Sequence, residues 1–429
     1  MTETTEKKKE KTSMISGLYQ KNLNERHSIL KDFSNLDDQD VKLLSVPSCF
    51  DFEIANKSIE NFIGIFPLPM GIAPNFRVNN KDYVVPMVTE EPSVIAAASN
   101  GAKLSRLFGG DGFTATSTDP IMIGQIQVTK IQEISLEQAK LNIEKNAEML
   151  VNHANETYGT KRRSKAKTIV ARVVKNMLVV HLLVNVCDSM GANTVNTMVE
   201  ALCEKVQELT KGIVLLRIIS NLPIHRTVTC EAVWTKEALE KSVRGKLKGK
   251  ITGEEIGKRI IEAWKFAEDD PFRRATHIKG ILNGIDAVAI ATGNDFRATS
   301  SGLFSLSNYH PNEEDLDMLS KIQNIPTMKD EITNHTNTLT SYYLDSDSNL
   351  HGKFFASLSM ATFGGSIQTN PMSKLCQKIL NCEDSNELSC VTAAVGLAQN
   401  FAALRSLVLE GIQRGHMKLH KRKLDNEKK

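Results

Sequence analysis

Charged and amide side chains, among them Lys279, Asn283 and Asp295, punctuate an apolar, helical pattern in the run RRATHIKGILNGIDAVAIATGNDFR between Arg273 and Arg297. Ile281, Ile285 and Val288 recur at helical spacing and Gly293 stands where a C-terminal cap belongs, so the segment is predicted to be a helix. Lys279 and Asn283 are four apart and share one face near its start, and Asp295 follows just past its end. A lysine beside an amide, with a carboxylate in folding reach, can bind an oxyanion, form a Schiff base or make a plain ion pair. Spacing alone leaves all three open.

The scaffold that must hold these groups is large. A chain of 429 residues exceeds the size at which one core stops growing, so two domains, one of them possible as an insertion, are expected. Hydrophobic residues at 41% and charged residues at 24% are ordinary for a globular protein. A net charge of only +3 argues against a nucleic-acid partner. Seven scattered cysteines without a CxxC pair imply reduced thiols in a cytoplasm and signal no metal site. The N-terminus lacks an apolar signal segment, and residues 1–16 read as a disordered tail. The longest apolar run, near Met177–Val186, is too short to span a bilayer and is interrupted by His181, so no membrane is expected.

Along the chain, Gly17 to Leu44 reads as a charged helical arm carrying Lys21. ENFIG, LPMGIAPNF and DYVVPM alternate like strands joined by turns. TEEPSVIAAASNGAKLSRLFGG reads as a helix with Pro92 in its first turn and the carboxylates Glu90 and Glu91 before it, where a cap or a dipole partner is the ordinary reading. From about Gly112 the pattern becomes strand, charged helix (Ser135–Ala154), strand, helix, which suggests an α/β insertion. Within it DSMGAN, Asp188 to Asn193, is a Gly-containing turn at a helix start and offers backbone donors to a phosphate or ribose. Neither GxGxxG nor a P-loop occurs. Lys161 to Lys167 form a basic run that is either a solvated loop or a means of neutralising a phosphate. Thr252 and Glu255 predict a capping box for a helix from Glu254 to Ala267 that Pro271 stops. Asn308 to Leu350 is polar and without a usable motif. The chain ends in a long helix, TAAVGLAQNFAALRSLVLEGIQRGHMKLH, expected to stop at Gly415 with His416 just beyond its negative end, where a histidine's pKa rises.

These words together resemble the class II, bacterial-type hydroxymethylglutaryl-CoA reductases, which carry ATHNKG, MNGID and ATGND in the same order as ATHIKG, LNGIDA and ATGNDFR here. ENFIG, DYVVPM, EEPSV, DSMGAN, GLAQN and GIQRGHM match further family segments, and the likeness runs from about Lys21 to His420. The resemblance implies an α/β (α+β) fold in which a large mixed domain (1–111 and 217–411) is interrupted by a small ferredoxin-like cofactor domain (112–216), with a C-terminal flap shortened to 412–429. It implies catalytic roles for Glu91, Lys279, Asp295 and His416. Substrate contacts follow for Ser93, Arg273, Asn283, Asn221 and Lys21, and cofactor contacts for Asp188, Met190, Gly191 and Asn193. The expected activity is reduction of hydroxymethylglutaryl-CoA to mevalonate with two nicotinamide hydrides, NADPH before NADH, in a homodimer whose active site lies at the subunit interface. FGGSIQ, Phe363 to Gln368, departs from the family's GGGTK, so a substrate-side turn there is expected to be altered. The alternatives are a CoA-ester-binding relative without turnover, and a Schiff-base lyase built on Lys279.

Overall fold

The computed structural model describes residues 11–45, 51–159, 163–322, 325, 327–409 and 411. Its larger sheet has six strands in the order β2-β1-β3-β8-β10-β9. These are β1 (Met70–Val78), β2 (Lys81–Val88), β3 (Phe113–Ser117), β8 (Thr227–Trp234), β9 (Thr340–Leu344) and β10 (Leu350–Ser357). Asn79 and Asn80, both with positive φ, make the tight β1–β2 turn. Against this sheet pack the helices Val94–Leu104, Pro271–Ala291 and Ser385–Leu409.

Glycine sets how closely these layers approach. A Cβ on Gly101 would lie 2.4 Å from the carbonyl oxygen of Ala398, so the first and last of these helices touch backbone to backbone. Trp234 ties the layers together: its ring stacks on Phe401 at 3.8 Å and its Nε1 donates to the Gly101 carbonyl. Helix Ser385–Leu409 is long and apolar enough to cross a membrane by length and composition, but most of its apolar window is buried inside the protein. Its composition is therefore accounted for by the core.

The second sheet has four antiparallel strands, β4 (Ile121–Thr129), β5 (Lys165–Val174), β6 (Met177–Asn185) and β7 (Ile213–Ser220), in the order β5-β6-β4-β7. Helices Leu136–Lys145 and Ala147–Tyr158 connect β4 to β5, and Ala192–Ala201 and Cys203–Thr210 connect β6 to β7. Connection and strand order are those of a ferredoxin-like unit, and it has a core of its own around Ile126, Ile143, Leu182 and Met198.

Several local expectations are corrected. Within the tail expected to be disordered, Ser13 is fully buried: its Oγ donates to Phe76 and its carbonyl accepts from Asn75 at the irregularity in β1. The strand at 113–117 pairs with β1 and β8 in the larger sheet, so the four-stranded sheet begins at Ile121 and not near 112. The charged helix expected over Ser135–Ala154 is two helices, parted at Asn146. Pro271 does not simply stop the helix Gly253–Asp269: Asp270 ends that helix and caps the next one, which begins at the proline. Of the expected capping box only one half forms, because Glu255 turns its carboxylate to Arg259. The C-terminal helix ends at Leu409, where Gly411 in the left-handed region donates to the Ser406 carbonyl. The stop expected at Gly415 is thus reached earlier. His416, Gly415 and the rest of 412–429 lie outside the described residues.

Candidate active site

Glu91 leaves the end of β2 in the turn that precedes helix Val94–Leu104, and β2 packs along helix Pro271–Ala291. This brings together residues 188 apart in sequence: Lys279 Nζ donates to Glu91 Oε2 at 2.9 Å. Both side chains remain substantially exposed, 57% for Lys279 and 37% for Glu91, so the pair faces solvent. Asn283 lies one turn along the same helix, half-buried, with no side-chain partner among the described residues.

The turn that presents Glu91 is unusual. The expectation of Pro92 in a first helical turn fails, because Ser93 adopts φ 80° and the helix begins only at Val94. A serine in the left-handed region costs on the order of 1 kcal/mol, and its hydroxyl is buried with no hydrogen-bond partner among the described residues. Buried hydroxyls are normally satisfied. This one, two residues from Glu91, keeps its capacity to donate unused.

Arg273 stands in the first turn of the 271–291 helix, its N–H capped by Asp270 at 2.7 Å. Its guanidinium makes no hydrogen bond or ion pair among the described residues, and burial pushes its pKa down. A half-buried, unpaired guanidinium is a fork awaiting a carboxylate or phosphate. One turn on, His277 is buried against Thr340 and Asn400, and burial together with Arg273 lowers its pKa to about 3.

Asp295 does not pair with Lys279. Its Oδ1 accepts the N–H groups of Arg297 and Ala298, both at 3.1 Å, capping helix Phe296–Ser307, and lies 3.5 Å from Arg297 Nε. The turn that carries it is pinned by Asn294, which the sequence reading passed over. Its side chain donates to Thr292 and to the Ala361 carbonyl and accepts the Ala361 N–H. The asparagine in ATGND was visible, but nothing local told that it would reach a segment 67 residues away. Asn221 is exposed after β7, its carbonyl lying over Gly302. Lys21 is held near Glu25, 3.9 Å away, at the foot of the N-terminal arm.

Asp286, also unremarked in the sequence, continues the face of Lys279 and Asn283 by another turn. Burial raises its pKa to about 6, although Ser300 Oγ donates to it at 2.8 Å.

In the four-stranded unit, Asp188 to Asn193 lead from β6 into helix Ala192–Ala201. Gly191 takes φ 93°, and no side chain caps the helix, so the N–H groups of its first turn lack a side-chain acceptor. Met190 is half-buried and Asn193 exposed. Arg163 reaches Asp188 at 3.6 Å, which places one end of the basic run against this loop. Lys161 and Arg162 lie outside the described residues, while Lys165 to Lys167 are not loop but the first residues of β5. No group of three or more histidine, cysteine or acidic side chains able to hold a metal ion occurs among the described residues.

Comparison with known proteins agrees with this arrangement. The family model described as Hydroxymethylglutaryl-coenzyme A reductase matches residues 22–421. The chain is 40% identical over 422 residues to the 3-hydroxy-3-methylglutaryl-coenzyme A reductase of Archaeoglobus fulgidus, covering 96% of this chain and 87% of that one. It is 30% identical to the probable reductase of Borreliella burgdorferi, over 94% of this chain and 85% of that one. Among solved structures, the class II reductase of Streptococcus pneumoniae bound to NADPH superposes with a TM-score of 0.79 at 34% identity, covering 92% of this chain and 99% of that one. A match of this extent, in sequence and in fold, means that the chain belongs to the hydroxymethylglutaryl-coenzyme A reductase family.

Proposed function

We propose that the protein reduces 3-hydroxy-3-methylglutaryl-CoA to mevalonate and free CoA with two molecules of NADPH. The observation that carries this reading is the Lys279–Glu91 contact, which joins the two family words EEPSV and ATHIKG into one exposed acid–cation pair. The reaction adds a hydride and a proton to the thioester carbonyl, expels CoA as its thiol, and then adds a second hydride and proton to the resulting aldehyde. NADPH supplies the two hydrides when bound. In each reduction an oxygen gains negative charge, and Lys279 is placed to donate to it while Glu91 delivers the proton. Arg273 grips the free carboxylate of the substrate, Ser93 Oγ and Asn283 donate to it, and Asn221 lines the same cleft. Asp295, through the turn pinned by Asn294, supports the electrostatics of Lys279 and Glu91. His416 protonates the departing thiolate.

The same contact weighs against a Schiff-base lyase: an amine that attacks a carbonyl must be free, whereas Lys279 is engaged by a carboxylate. A CoA-binding relative without turnover would have no need of the acid–cation pair. Oxidation of NADPH on addition of hydroxymethylglutaryl-CoA tests the proposal. Absence of oxidation, or reductive trapping of substrate on Lys279 by borohydride, would reject it.

Cofactor and coenzyme each have a fitting surface. The uncapped helix start at Gly191, with Asp188, Met190 and Asn193, suits a dinucleotide, and Arg163 with the strand lysines supplies positive charge for a 2′-phosphate, favouring NADPH over NADH. At the far end of helix Val94–Leu104, about 15 Å from Glu91 by helical rise, a cavity of about 390 Å³ is lined by Lys103, Lys241, Arg244 and Arg405. That is a cradle for the CoA phosphates at a distance the pantetheine arm can bridge, and Lys21 on the N-terminal arm adds a further cation.

The working form is a homodimer with its active sites at the subunit interface. Supporting this, Ile63 within the ENFIG word is 99% exposed and Phe66 just after it 87%, and Leu215, Leu216 and Ile218 lie open on the edge strand β7. Apolar surface of that kind is normally covered by another chain. Cys187, Cys203, Cys230, Cys382 and Cys390 are free thiols, which supports a reducing, cytoplasmic setting.

A further inference from the structure

Arg226 is only 3% exposed, and among the described residues no carboxylate comes within ion-pair distance of it. Burying a guanidinium is costly, and burial lowers its pKa to about 10 against the opposing pull of Asp188. Its hydrogen bonds show what it holds. Nη1 donates to the Ser189 carbonyl at 3.0 Å and Nη2 to the Met360 carbonyl. Beside this bridge the Asp188 carbonyl accepts the N–H groups of Thr362 (3.0 Å) and Phe363 (3.1 Å), and Asp188 Oδ1 accepts the N–H of Ser385 at 3.3 Å. Cys187 with φ 52° and Gly191 with φ 93° bracket the turn, and a Cβ on Gly191 would lie 2.4 Å from the Val186 side chain. The Asp188–Asn193 turn therefore has one shape, and Arg226 fastens it from beneath to the segment that leaves β10.

We infer that Arg226 is a positioning residue for the cofactor: by clamping Ser189 to Met360 it aims the first turn of helix Ala192–Ala201 at the dinucleotide. This rests on the reading of that turn as the cofactor loop. It also gives the altered FGGSIQ word a place, since Phe363 leans on the same loop through its main chain and not through a side chain that the substitutions have removed.

The test uses Arg226→Met and Arg226→Lys in the full chain, with NADPH affinity followed by nicotinamide fluorescence, hydroxymethylglutaryl-CoA affinity by calorimetry, and amide exchange over residues 186–194. Arg226→Met should weaken NADPH by about tenfold or more and speed exchange at 188–191, because the buried Met360 carbonyl and the part-buried Ser189 carbonyl lose their donor. Hydroxymethylglutaryl-CoA binding should stay within about twofold, and Arg226→Lys, which restores the charge and one donor, should recover part of the NADPH affinity. Unchanged NADPH affinity in both variants overturns the inference. So does an equal weakening of both ligands in step with a lower melting temperature, which would mark Arg226 as general scaffold. Should Arg226→Met fail to fold, Arg226→Lys decides alone by the same split between the two ligands. If NADPH does not slow exchange at 189–194 in the unaltered protein, the cofactor-loop reading fails first and takes this inference with it.

Discussion

Replacing Lys279 with methionine keeps the aliphatic stem and removes the ammonium, and the structure assigns very different sizes to its two consequences. The pair with Glu91 is 2.9 Å long but 57% and 37% exposed, and such solvent-facing pairs contribute roughly 0.2–1 kcal/mol to stability. In a chain of this size that corresponds to about 2 °C of melting temperature at most. A donor aimed at a developing oxyanion is worth roughly 2.7–4 kcal/mol, or about a hundredfold to a thousandfold in kcat. Lys279→Met should therefore melt within about 2 °C of the unaltered protein while its NADPH oxidation falls by about a hundredfold or more. Circular dichroism and the absorbance of NADPH read the two quantities separately. A variant that keeps kcat within about threefold, or one that loses activity only in proportion to lost folded protein, would refute the assignment.

Neutralising Arg163, Lys165 and Lys167 together should lower kcat/KM for NADPH more than for NADH; an unchanged ratio would return the run to the status of solvated surface. Asp286→Asn tests the group whose folded pKa is raised from 3.8 to about 6. The folded state holds this proton more tightly than the unfolded one, so the carboxyl costs nothing below pH 4, costs progressively more as pH rises towards 6, and a constant amount above. The variant's stability gain should follow that window in denaturant titrations, on the order of 1–2 kcal/mol after allowance for partial exposure; a gain independent of pH would contradict it. Gly101→Ala should destabilise by about 1–3 kcal/mol, because its Cβ would meet backbone, the Ala398 carbonyl, at 2.4 Å; an unchanged melting temperature would mean the helices can part. His416→Gln, judged from sequence, should cripple reduction of the thioester and largely spare reduction of added mevaldehyde, which expels no thiolate; equal losses in the two assays would assign His416 to closure or structure.

What the sequence made legible was whatever is encoded locally. The stripe Ile281, Ile285, Val288 and the cap at Gly293 appear as read, because apolar spacing and a positive-φ glycine act within a few residues. The strands β4 and β6 and the helix start at DSMGAN follow the same logic. The catalytic candidates came from family words, and spacing could not have supplied Glu91: its meeting with Lys279 depends on how β2 lies along a helix that the chain makes much later. Ser93 shows the opposite failure. Pro92 and the serine after it promise an ordinary helix start, but tertiary packing holds Ser93 at φ 80°, a cost that local propensity cannot foresee. Gly415 was read as the helix stop, but Gly411, four residues earlier, already takes the left-handed conformation that ends the helix.

The stretch with no readable motif shows why long-range electrostatics hides from sequence. Helix Glu313–Lys321, inside Asn308 to Leu350, docks the four-stranded unit almost wholly through charge. Lys140 meets Glu314 and Asp317, Arg172 meets Asp315, and Lys321 meets Glu144. Lys140 is itself buried there, at 5% exposure. An apolar seam of the same size would cling in several registers, whereas paired charges with fixed partners allow one. Arg226 serves the same end nearer the loop, exchanging a buried charge for fixed main-chain geometry. Hydride transfer needs the dinucleotide held at a set distance and angle to the substrate carbonyl, and the residues proposed to meet the substrate, Arg273, Lys279 and Glu91, belong to the other sheet's layer. The costly buried cations, Lys140 and Arg226, thus stand on the seam between the two sheets. There a small slip would separate cofactor from substrate without unfolding either half.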